Sequence, residues 1–140
     1  MTVTRGRVHV YLGMTIDYSV DGQVTFKMSD FVDKINKETP EDLMKGVSTT
    51  PATNHVFTTQ DNAQPLSKDD AEMFHHLTAK LLYLGKRARP DLQLSVSFLA
   101  TRVQSPDIDN WKKLGRCLQY RHDTANLRLT LNANSLSKIR

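Results

Sequence analysis

The sequence predicts an α+β fold, a small antiparallel β-hairpin or sheet packed against a three-helix bundle. Three observations carry that expectation. Alternating apolar residues around a tight-turn dipeptide fill residues 8–28, and apolar residues at three- and four-residue spacing fill residues 67–122. Between them, residues 36–66 are poor in apolar side chains. The chain divides accordingly into residues 1–35, a hairpin and short helix; 36–66, an extended connector; and 67–140, a helical region with a terminal strand. A chain of 140 residues is long enough to form one compact unit around a real core.

In the first region Val8, Val10 and Leu12 alternate with His9, Tyr11 and Gly13, and Met14, Ile16 and Tyr18 continue on a shifted phase. Asp21-Gly22 is a tight-turn pair, after which Val24 and Phe26 resume the alternation in a return strand. Ser29 reads as a helix N-cap, and Phe31, Val32 and Ile35 supply a short apolar face. A two- or three-stranded sheet over residues 8–28 is expected, joined by the Leu127, Leu129, Leu131 alternation near the end of the chain.

The connector holds Pro40, Pro51 and Pro65 and lies over the surface, anchored at Leu43, Met44, Val47, Val56 and Phe57. Ser67 then starts a long helix as N-cap, with Asp70 at the third position and Leu66 as a hydrophobic staple against Ala71. Met73, Leu77, Leu81 and Leu84 form its stripe, widened by Phe74 and Leu82. Arg89-Pro90 breaks that helix, and Asp91 caps a second with Leu92, Val96, Leu99 and Val103 inward. Ser105 and Pro106 begin a third, whose apolar face is Ile108, Trp111, Leu114 and Leu118.

The net charge of +4 is unevenly spread. Residues 74–140 carry twelve basic and four acidic side chains, a net of +8, whereas residues 51–73 are acidic. A polyanion is drawn to the last half by that field, although a solvated basic surface has the same composition. No run approaches the roughly 18 apolar residues of a membrane span, and Met1–Arg7 is not followed by the apolar core of a secretory signal. A cytoplasmic or nuclear setting, without membrane contact, is therefore expected. The single cysteine, Cys117, agrees with a reducing compartment and reads as a small buried residue.

Two stretches carry a recognisable pattern. One is His9-Val10-Tyr11-Leu12-Gly13-Met14-Thr15-Ile16, followed by Gln23-Val24-Thr25-Phe26-Lys27-Met28. The other begins at Phe74 and contains Leu81-Leu82-Tyr83-Leu84, then Arg89-Pro90-Asp91, then Trp111-Lys112-Lys113-Leu114-Gly115-Arg116-Cys117-Leu118-Gln119-Tyr120. From about residue 8 to 133 this resembles the reverse transcriptase of copia-type (Pseudoviridae-like) LTR retrotransposons, in the segment between the catalytic Asp-Asp hairpin and RNase H. The resemblance implies that the Tyr11–Ile16 hairpin corresponds to the primer-grip strand, with Leu12, Gly13 and Met14 nearest the primer end. It implies that the third region corresponds to thumb and connection, which grip template–primer by its backbone. Tyr120-Arg121-His122-Asp123-Thr124 departs from the family's usual Tyr-Leu-Lys-Gly-Thr, with Arg121 in an apolar position and Asp123 in place of glycine.

Polymerisation needs clustered carboxylates that seat divalent cations. Ten residues precede Tyr11, and none is Asp or Glu. The chain thus reads as non-enzymatic, with no catalytic residue, metal or cofactor. His75 and His76 diverge by about 100° on a helix and cannot share a metal. Asp17 and Asp21 flank a turn and are explained by turn chemistry.

Phosphate contacts need only positive donors at backbone spacing. The candidates are Lys80, Lys86, Arg87, Arg89, Arg102, Lys112, Lys113, Arg116 and Arg121, together with Leu12, Gly13 and Met14 from the resemblance. Two of these groups have a structural reading as well. Lys86, Arg87 and Arg89 also suit the helix dipole, and Arg89 also suits a pairing with Asp91 or a nearby carbonyl. Trp111 reads as core, with base stacking as the other option. The expected function is a catalytically incompetent or domesticated reverse-transcriptase derivative that holds RNA or DNA, duplex or single strand, by its backbone. The alternative is a structural or protein-interaction domain with no nucleic-acid role, homodimeric through the exposed hairpin edge.

Overall fold

A computed structural model describes residues 5–132. The architecture is α+β: a four-stranded antiparallel sheet in the order β1-β2-β3-β4, beside four α-helices. The strands are β1 (Val8–Tyr11), β2 (Met14–Asp17), β3 (Gln23–Lys27) and β4 (Leu129–Asn132). The helices are α1 (Ser29–Glu38), α2 (Lys68–Arg87), α3 (Gln93–Ala100) and α4 (Ile108–Asp123), with short 3-10 turns at Glu41–Met44 and Pro90–Leu92. The final strand joins the sheet as expected, pairing Phe26 with Leu129 and Val24 with Leu131.

The shifted phase after Leu12 has a specific cause. Leu12 and Gly13 are a two-residue turn with φ of +50° and +77°, the left-handed pair that matches the twist of flanking strands. Residues 8–17 are therefore two strands, which with β3 make the three-stranded form of the expected sheet, and β4 extends it to four. Side chains on one sheet face follow from the register. His9, Ile16, Phe26 and Leu129 line up across the four strands on one side; Val8, Asp17, Thr25 and Thr130 line up on the other. The first face turns toward the helices, with Met14 packed on the core and Met28 buried.

The core lies within the helices. Phe74, Leu77, Leu81 and Leu84 of α2 meet Val96 and Leu99 of α3, Leu114, Cys117 and Leu118 of α4, and Ile35 of α1. Leu43 and Val56 are buried and anchor the connector as expected, and Met44 packs on the core. Val47 is 83% exposed and is no anchor, while Phe57 is exposed and meets the Phe98 ring edge-on. Polar bonds do the rest of the fastening. The Ser48 N–H donates to Asp123, Gln119 donates to the carbonyls of Leu43 and Lys45, Arg116 to Thr50 Oγ1, and Lys113 to the Thr58 carbonyl. The connector is a strap along α4.

Helix starts followed the expectation once in four. Ser67 caps α2, its Oγ accepting the Asp70 N–H. Ser29 is instead the first residue of α1, whose cap position, Met28, offers no side-chain bond. Asp91 lies in a 3-10 turn, its carboxylate turned to Arg89 and Tyr120, and does not cap α3. Asp107, not Ser105, caps α4 in a reciprocal box with Asn110. Pro106 lies before that cap, and its carbonyl accepts the Leu66 N–H. α3 ends at Ala100, before Val103, because Thr101 Oγ1 and the following amides close turns on Phe98 and Leu99.

Candidate nucleic-acid interface

One face of α2 carries His76, Lys80, Tyr83 and Arg87, neighbours by three- and four-residue spacing. Their backs are covered because the opposite stripe, Phe74, Leu77, Leu81 and Leu84, is buried. The Tyr83 hydroxyl donates to the Leu12 carbonyl at 2.9 Å. This single bond ties the β1–β2 turn to α2. Phe31 packs on the same ring at 5.0 Å between centroids. The Arg87 guanidinium lies 3.6 Å from the Tyr83 ring centroid, a cation–π distance.

Charge along this face is graded. Glu38, at the end of α1, accepts hydrogen bonds from Lys80 and from His76, which hold its carboxyl below the usual range. Lys80 is thereby neutralised in place. Among the described residues no carboxylate pairs with Lys86 or Arg87. Lys86 is exposed and Arg87 half-buried beside the turn. Leu12 is 57% exposed and Gly13 is open, whereas Met14 is half-buried against the core. The structure thus brings Leu12, Gly13, Lys80 and Arg87 onto one surface, with Lys86 next along the helix.

The remaining candidates lie elsewhere. Lys112, Lys113 and Arg116 are on α4 beside the strap and line a cavity of about 740 Å³ together with Trp111. Lys112 is exposed, but Lys113 pairs with Asp109 at 2.8 Å and Arg116 is turned to Thr50. Trp111 is half-buried, its Nε1 3.4 Å from Asp42. Arg102 is half-buried after α3.

Arg89 and Arg121 are inside. Arg89 is 6% exposed and binds Asp91 through two nitrogens at 3.0 and 2.8 Å, and also donates to the carbonyl and hydroxyl of Thr124. Burial pushes the Asp91 carboxyl up, but the bonds from Arg89 and Tyr120 outweigh it and leave it below its ordinary value. Burial, then the bond to Asp91, raises the Tyr120 phenol. Arg121 is fully buried and donates to Asn36 Oδ1 at 2.5 Å. Burial first, and the neighbouring Arg89 second, bring its pKa down to about 10. Neither arginine reaches the surface, so in this fold neither contacts a polynucleotide. Cys117 is also buried, its thiol pushed up to about 12 by desolvation.

Sequence reasoning missed Tyr83 as the tie to the turn, because a hydroxyl at the edge of an apolar stripe has no pattern of its own. It also missed the Asp107–Asn110 box, although that pair has the right spacing. Ser105-Pro106 is simply the louder start signal. Among the described residues no group of three or more His, Cys, Asp or Glu side chains converges as a metal site. No described helix is long and apolar enough to cross a membrane.

No protein-family model matches the chain, and no solved structure matches it significantly. A protein of Saccharomyces cerevisiae attributed to transposon Ty5-1 is 25% identical over 130 residues, which is 93% of this chain and 41% of that protein. The chain therefore spans about two fifths of the relative's length, and along nearly all of its own it is similar to that transposon protein.

Proposed function

We propose that this chain is a non-catalytic, copia-like reverse-transcriptase segment that holds template–primer-like nucleic acid by its backbone. The observation that carries this reading is the bond from Tyr83 to the Leu12 carbonyl. It joins the turn that resembles a primer grip to the basic end of the helix that resembles a thumb. Arg87, stacked on Tyr83, and exposed Lys86 supply the unpaired charge. Nothing in this surface asks for a particular base, so affinity is independent of sequence and sensitive to salt.

Fluorescence anisotropy with an RNA–DNA hybrid and a DNA duplex, each at two salt concentrations, tests the reading. Binding at low salt that weakens about tenfold or more at physiological salt is the expected result. Absent or salt-independent binding rules it out. The same hybrid, given nucleotides with magnesium or manganese, is expected to remain unextended.

A second reading is favoured by one feature of the sheet. β1 is an edge strand with Val8 at 52%, Val10 at 77% and Tyr11 at 62% exposure. Unpaired backbone groups beside exposed apolar side chains suit pairing with a second chain. On that reading the protein is a homodimeric interaction domain, and sedimentation at rising concentration distinguishes it.

A further inference from the structure

The chain contains three Ser-Pro or Thr-Pro dipeptides, Thr39-Pro40, Thr50-Pro51 and Ser105-Pro106, and they sit in different settings. Thr39 is buried and its hydroxyl donates to the Ile35 carbonyl. Ser105 is exposed, but Pro106 is buried and its carbonyl accepts the Leu66 N–H. Thr50 alone combines an exposed hydroxyl residue with a proline that is not buried. It lies on the strap between the buried anchors Leu43 and Val56, in backbone that forms neither helix nor strand.

Thr50 Oγ1 accepts from Arg116 Nη2 at 2.9 Å and donates to the Ala52 carbonyl at 3.0 Å. Lys112, one turn before Arg116 on α4, is exposed. Among the described residues neither of these cations pairs with a carboxylate. The carboxylates toward the two ends of α4 are engaged, Asp109 by Lys113 and Asp123 by the Ser48 N–H. A neutral hydroxyl is a weak acceptor for a guanidinium. A phosphate in its place carries a charge of about −1.5 to −2 at pH 7, and opposite cations it makes charge-assisted bonds that order a loop. The following proline biases Thr50 to extended backbone, the form in which a kinase reads its substrate.

We infer that Thr50 is a phosphorylation site for a proline-directed serine/threonine kinase, and that Arg116 receives the phosphate and fastens the strap to α4. The kinase moves the γ-phosphoryl group of ATP onto Thr50 Oγ1. The bond from the γ-phosphorus to the β–γ bridging oxygen breaks, an Oγ1–P bond forms, ADP leaves, and the hydroxyl proton passes to the base of the kinase. The bond to the Ala52 carbonyl is lost with that proton, and bonds from α4 replace it. Here the strap is held by single polar bonds, from Arg116 to Thr50 and from the Cys117 thiol to the Pro51 carbonyl, so the segment lifts to meet the kinase and settles afterwards. The site is independent of the polynucleotide surface on α2, since Lys86 and Arg87 take no part in it.

The test treats the whole chain with a purified proline-directed kinase and magnesium-ATP and maps the product by tandem mass spectrometry. Phosphate at Thr50 is the expected result. Its absence there, or incorporation chiefly at Ser105, overturns the inference. Trypsin then reads the strap by its cut after exposed Lys45. Relative to the unphosphorylated form, the cut is expected to slow several-fold in the phosphorylated parent and to keep its rate in phosphorylated Arg116→Gln. An unchanged rate in the parent, or equal slowing in parent and variant, overturns the role given to Arg116. Should Arg116→Gln fail to fold, a phosphorus NMR titration of the phosphorylated parent reads the same contact. Its phosphate is expected to lose the second proton at lower pH than in the phosphorylated peptide of residues 46–55, because a neighbouring cation favours the dianion. Equal titration of the two overturns the contact.

Discussion

Arg89→Ala is expected to destabilise the protein by about 2–4 kcal/mol, measured by denaturant unfolding at pH 7. The guanidinium joins two segments, the turn before α3 through Asp91 and the end of α4 through the Thr124 carbonyl, with Tyr120 of α4 bonded to the same Asp91 carboxylate. Removing it strands a half-shielded carboxylate and an acceptor at a helix end. Two effects keep the loss below that of a fully enclosed pair. The Asp91 side chain is 32% exposed, so water recovers part of its solvation. The change also relieves the repulsion between Arg89 and Arg121. The pH dependence has a definite sign. Asp91 has a lowered pKa when folded, so its contribution is present above the unfolded value of about 3.9 and disappears as pH falls through the folded value. The parent loses stability on acidification below about pH 4, and the alanine variant is expected to lose less over the same window. A variant as stable as the parent at pH 7 contradicts this account of the network.

Phe74→Ala is expected to cost about 3–5 kcal/mol. Phe74 is fully enclosed on the inner stripe of α2, in the core cluster to which α1, α3 and α4 also contribute. Deleting a ring there removes apolar burial and leaves a cavity that a close-packed core closes only in part. A loss of that size is comparable to the whole stability of a domain this small. The outer face of α2 depends on this seat, since Tyr83 meets the Leu12 carbonyl only while the helix is held in place. Equilibrium unfolding and duplex binding are therefore expected to fail together in this variant. A loss below about 1 kcal/mol would show that α2 is not packed as described.

The parts of the fold set by periodicity were readable in the sequence. α2 announced itself by a stripe of large residues and a Ser67 cap, and both are in place. The β4 alternation joined the sheet because its partner, β3, alternates in the same way. What escaped was decided by contacts distant in sequence. Nothing local at Arg121 says that it is enclosed, or that Asn36 is the group facing it. The apolar anchors Leu43 and Val56 could be read from the sequence, but nothing in a run of Thr, Asn and Gln shows the polar bonds that lay the rest of it along α4, since each goes to a helix far along the chain. The turn at Leu12-Gly13 is the intermediate case. A glycine at a change of strand phase is a signal, but a leucine in left-handed conformation beside it is not what such turns usually contain.

The candidate surface was half legible for the same reason. Counting charge located the basic half of the chain, yet charge on a helix is as often spent inside the fold as outside it. Arg89, Lys113 and Arg116 hold other segments of this chain, and Lys80 is matched by Glu38. Lys86 and Arg87 are what remains beside the turn.

The most direct test is the salt dependence of duplex affinity for the parent and for the Lys86→Gln/Arg87→Gln double variant, with melting curves to show that both are folded. The slope of log affinity against log salt is expected to fall by about 1–2 in the variant, as two phosphate contacts are lost. An unchanged slope and affinity in a folded double variant would contradict the account.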